Sequence, residues 1–124
     1  MRVIKIVENS TVAQWELNEI EKILTIEGVE IVLDDFITDY HNVITITNDN
    51  GTAILGNEGK QGYIADVEIP PQEYETIEVE TIGNEEKTEE KYPLPLNLDA
   101  VVLKLWPFGE GVINNSEMEE QGDF

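Results

Sequence analysis

Over most of this chain apolar and polar residues alternate with a period of two, and Gly, Asn and Pro cut the alternation at intervals. Val3, Ile4, Ile6 and Val7 form an opening β-branched run closed by Glu8-Asn9-Ser10. From Thr11 to Leu17, Ala13, Trp15 and Leu17 share one face, as in a half-buried strand. Residues 18–27 suit two elements, because Ile20, Ile23 and Leu24 behind an acidic start also fit an amphipathic turn of helix. The second half reads as strand, with a short helix near 18–23 as the alternative. A hairpin turning near Glu27-Gly28 leads through Val29–Leu33 to an acidic bend at Asp34-Asp35.

The clearest local signal is Val43–Thr47, then Asn48-Asp49-Asn50-Gly51, then Thr52–Leu55. Asn-Gly between β-branched runs supplies the positive-φ positions of a tight hairpin turn. Gly56, Gly59 and Gly62 punctuate a loop before the alternating strand Tyr63–Ile69, which Pro70-Pro71 stops. Residues 72–91 alternate again around a turn at Gly83-Asn84-Glu85-Glu86, and their return limb is nearly devoid of apolar residues, as in a solvated ribbon. After Pro93 and Pro95, Val101–Trp106 is a last apolar strand ending at Pro107. Short strands between frequent turn signals predict an all-β, mainly antiparallel fold, a β-sandwich or barrel-like domain. The expected organisation is one domain over 1–108, an acidic ribbon projecting at 72–91, and a flexible acidic tail at 109–124.

Charge narrows the partners. In 124 residues there are 27 acidic side chains, 7 basic ones and one histidine, a formal charge of −20. Such a surface repels nucleic-acid backbones and anionic membranes, so direct contact with either is not expected. The charge is uneven: ten acids lie between Asp66 and Glu90 and five between Glu110 and Asp123, against two in 41–65. An apolar fraction of 40% still suffices for a core. Cysteine is absent, which removes disulfides and thiolate chemistry without assigning a compartment. The opening reaches Glu8 before any signal-length apolar run, and no stretch approaches the ~18 apolar residues of a membrane helix, so neither a signal peptide nor a span is expected.

Candidate chemistry is sparse. His41 stands alone, without metal-ligand spacing, and reads as a surface or structural residue. Ser10 and Ser116 lack a nucleophile setting. Acid pairs such as Asp66 with Glu68, or Asp34 and Asp35 with Asp39, have the chemistry of glycosidase carboxylates or calcium ligands, but an acidic chain produces such pairs by composition alone. Asn48–Gly51 resembles the start of a calcium loop, yet the twelfth position is Gly59 where an acid belongs. No catalytic residue, metal or cofactor is therefore assigned. Apolar strand ends offer Trp106 and Phe108 as candidate interface residues, with Tyr63 and Tyr74 as secondary candidates. Glu85, Glu86, Glu89 and Glu90 are the candidate acidic mimic surface.

From residue 62 onward, Gly62-Tyr63-Ile64-Ala65-Asp66-Val67-Glu68-Ile69-Pro70-Pro71-Gln72-Glu73-Tyr74, the acidic turn at 83–86, Pro93-Leu94-Pro95-Leu96 and Val101–Trp106 resemble small accessory proteins of tailed bacteriophages and prophages. The resemblance spans about half the chain and carries no catalytic signature. It implies a non-enzymatic structural or accessory protein that assembles into or decorates a virion, located in the virion or host cytoplasm. The implied partner is another copy, forming a homo-oligomer, or a virion protein. The alternative is an acidic mimic of nucleic acid that inhibits a basic host protein, a defence nuclease or DNA-binding protein, in the manner of anti-CRISPR or anti-restriction inhibitors. A carbohydrate- or calcium-binding module is a third class, which no residue pattern demands.

Overall fold

Tight turns at positive φ organise the first half of the chain. Glu27 and Gly28 lie at φ 48° and 84°, Asn50 and Gly51 at 55° and 88°, so both pairs meet the requirement of a type I′ turn. They join β3 (Ile23–Ile26) to β4 (Val29–Val32) and β5 (Asn42–Asp49) to β6 (Thr52–Leu55). The computed structural model describes residues 1–80 and 87–109. Its remaining strands are β1 (Arg2–Lys5), β2 (Trp15–Asn18), β7 (Tyr63–Ile69), β8 (Tyr74–Glu80), β9 (Lys87–Pro93) and β10 (Val102–Leu105). The fold is all-β and mainly antiparallel, as the alternation predicts.

The short helix considered near 18–23 does not form. Residues 19–22 are the turn between β2 and β3, where Asn18 Oδ1 accepts the backbone N–H groups of Ile20 at 3.1 Å and Glu21 at 3.0 Å. Such capping would equally suit the start of a helix, and it is Lys22 at φ 57° that ends the turn and returns the chain into β3. Ile20, the residue that suggested an apolar helical face, is 93% exposed. The acidic bend at Asp34-Asp35 is a 3₁₀ turn over Leu33–Phe36, with a second at Leu98–Ala100. The strand read over Thr11–Leu17 is shorter, since Val12 makes only an isolated bridge to Pro107 before β2 begins. No helix among the described residues is long and apolar enough to cross a membrane.

Strands β1-β10-β7-β5-β6 form a five-stranded sheet whose one parallel pair is β1 with β10. Strands β2-β3-β4 form an antiparallel meander, and β8 pairs with β9. Alternation assigns one face of the large sheet to the core: Ile44 and Ile46 of β5, Ala65, Val67 and Ile69 of β7, and Leu103 and Leu105 of β10 are all buried. They share a single cluster with Leu24, Ile26 and Ile31 of the meander, joined by Leu33, Ala13, Ile64 and Val101. Each fully buried Leu or Ile contributes about 1.5–3 kcal/mol relative to exposure, so this shared layer holds both sheets together. The β5–β7 register shifts at Ile46/Thr47, which leaves Ile64 as an extra buried residue and turns Tyr63 toward the opposite face.

Candidate interaction surface

The opposite face of the five-stranded sheet is built by the same alternation that fills the core. Register places Arg2, Val102, Glu68 and Val43 in one row across β1, β10, β7 and β5. Ile4, Lys104, Asp66 and Thr45 form the next. Trp106 extends this face beyond β10, its backbone N–H donating to the Ile64 carbonyl at 3.0 Å. Its ring lies 5.4 Å from that of Tyr63, tilted by 37°. Tyr63 is 54% exposed and Val43 46%. One end of the face is closed by the 56–62 loop, where Thr47 Oγ1 donates to the Gly56 carbonyl at 2.7 Å and accepts from the Gly59 N–H at 2.9 Å.

Charged groups occupy the middle. Lys104 Nζ lies 2.6 Å from Glu68 Oε2, and His41 Nε2 lies 3.7 Å from Glu68 Oε1. The Lys104 hydrogen bond holds the Glu68 carboxyl below its ordinary pKa, against the opposing effect of partial burial. Asp66 Oδ1 is buried and accepts no hydrogen bond. Asp66 and Glu68, weighed from the sequence as a catalytic or calcium-binding pair, thus sit on one strand beside a lysine that already serves Glu68. Among the described residues no group of three or more His, Cys, Asp or Glu comes together to hold a metal ion. Asn48–Gly51 is the hairpin turn, with Asn48 Oδ1 accepting the Gly51 N–H at 2.7 Å.

The other candidate residues lie elsewhere. Phe108 is half-buried against the core cluster, its N–H donating to the Thr11 carbonyl at 2.8 Å. Tyr74 stands at the base of the β8–β9 ribbon, where its hydroxyl donates to Asp39 Oδ1 at 2.8 Å; that bond raises the phenol pKa. Gln72 anchors the same base, its N–H on the Thr38 carbonyl and its side-chain amide on the Leu94 carbonyl, both at 2.8 Å. Ile37, Pro70, Leu94 and Leu96 line a small pocket there.

Glu89 and Glu90 are exposed on β9, opposite Glu78 and Ile77. The Tyr92 hydroxyl donates to Glu90, which raises the Tyr92 phenol pKa. Glu85 and Glu86, the 83–86 turn and the tail from residue 110 lie outside the described residues.

The structure therefore brings Tyr63 and Trp106 together and leaves Phe108 and Tyr74 apart from them. Sequence reasoning missed Lys104 as a member of the face. Its signal was present, a lone cation between Leu103 and Leu105 in an alternating strand, but only the sheet order identifies its partners. Comparison of the chain with protein-family models, with curated proteins and with solved structures finds no match in any of the three.

Proposed function

We propose that this chain is a non-enzymatic protein that works through protein–protein contacts, as a structural or accessory component of a tailed phage or prophage. The observation that supports contact as its mode of action is the Tyr63–Trp106 pair on the open sheet face, where Tyr63 is 54% exposed and Val43, at the other end of the face, 46%. Large amphipathic rings bring contact area at low entropic cost, and such residues dominate binding energy at interfaces. The phage setting comes from the sequence resemblance over the C-terminal half.

The test is association with particles. The tagged chain expressed during phage production is expected to sediment with assembled particles, and Trp106→Ala with Tyr63→Ala to leave it free in the supernatant while far-UV circular dichroism is unchanged. Wild-type protein found only in the free fraction contradicts the reading.

The acidic-inhibitor reading retains one specific support: Glu89 and Glu90 are exposed on a ribbon that pairs with no strand of either larger sheet. It predicts affinity for a basic protein that collapses with added salt and is lost on reversing Glu89 and Glu90.

A further inference from the structure

Two copies of a chain carrying −20 repel each other through most approaches. The open face of the five-stranded sheet is different. Its rows hold Arg2 and Lys104 against Asp66 and Glu68, so the formal charges of those rows balance. Around them stand Ile4, Val43, Val102, Tyr63 and Trp106, all half-buried or exposed. A charge-balanced, apolar-rich face on a strongly acidic molecule is a surface that a copy of the same molecule can approach without like-charge repulsion.

We propose that this face docks a second copy of the chain in a two-fold symmetric dimer, an inference that rests on the contact reading above and names its partner. A two-fold contact joins the same patch on both copies, so the patch must be complementary to itself. The sheet order meets that condition: an axis passing between β10 and β7 lays β10 of one copy over β7 of the other, and β1 over β5. Lys104 of each copy then faces Asp66 of the other, and Arg2 faces the row of Val43 and Glu68. Asp66, whose Oδ1 accepts no hydrogen bond within the chain, gains a second cation nearby. Ile4 then lies over Thr45 and the Val102 methyls over the Glu68 stem, across two aligned sheets ~10 Å apart, and the Tyr63–Trp106 pair borders the contact.

The experiment is the solution mass of the full chain by light scattering, from micromolar to millimolar protein. Wild type is expected to move from monomer to twice that mass. Val43→Lys places a cation opposite Arg2 of the facing copy, twice per dimer, and is expected to weaken association at least ~tenfold. Val43 is exposed and pairs across the strand with Glu68, so the lysine is accommodated in the monomer and unchanged circular dichroism verifies folding. Wild type that stays at monomer mass throughout, or Val43→Lys that dimerises as tightly as wild type, overturns the proposal. A monomeric chain that still sediments with particles through Trp106 sinks the dimer and leaves the contact reading standing, so the two fail separately.

Discussion

Two glycines show how differently the same residue type is required. Gly59 does not need a positive φ; it needs absence of a side chain, because a Cβ there would lie 2.5 Å from the Asn48 carbonyl and 2.7 Å from Thr47 Oγ1. Gly51 has open space around its Cβ position but sits at φ 88°. Gly59→Ala is expected to cost ~1–3 kcal/mol by displacing the 56–62 loop from Thr47, and Gly51→Ala ~1–2 kcal/mol by backbone strain alone. Urea denaturation measures both, and Thr47→Val should remove part of what Gly59→Ala removes while adding to Gly51→Ala. The Gly51 requirement was legible in the sequence as Asn-Gly between β-branched runs. That of Gly59 was not, since the group it makes room for is brought near only when the loop closes.

The Glu68–Lys104 pair sets a pH signature at the same scale. Glu68 has its pKa lowered in the folded chain, so the stabilisation is present above the unfolded carboxyl value of ~4.3 and is lost as pH falls through the folded value. With both side chains partly exposed it is worth no more than ~1 kcal/mol. Thermal melts of wild type and Lys104→Met should differ near neutral pH and converge in acid.

Among the elements, the alternating strands were the legible part. β7 alternates without a break from Ala65 to Ile69, where Pro70-Pro71 removes two backbone donors; the consecutive buried pair Ile64-Ala65 marks the bulge at its start. The turn at 19–22 was less legible, because Ile20, Ile23 and Leu24 fit both periods and the chain reverses at Lys22, whose positive φ its residue type does not announce. The β8–β9 ribbon is the element with least support. It pairs only with itself, and Ile77 and Tyr92 on one of its faces are 42% and 45% exposed. A two-stranded ribbon without a packed face is marginal in water. Native-state hydrogen exchange should therefore show β8 and β9 amides opening at a small fraction of the free energy needed for β7 and β10, whose buried residues carry the core. Equal protection would mean that the ribbon is packed against something further.

At the scale of the whole molecule, the parallel pairing of β1 with β10 brings together the first and last strands of the described residues, and nothing local announces it. That closure creates the open face, since it adds Arg2 and Ile4 to the rows of β10 and β7. All-β architecture follows from the pattern of alternation, whereas Tyr63, Trp106, Lys104, Asp66 and Glu68 become one surface only through sheet order. The acidity read from composition describes the molecule as a whole and is suspended on this face.

The proposed contact runs through this charge-balanced face rather than through the acidic ribbon, and the two respond oppositely to salt. Sedimentation equilibrium across a sodium chloride series should show self-association tightening as salt screens the −20 carried by each copy. Association that weakens steadily with salt would contradict the claim and point to the carboxylates of the ribbon.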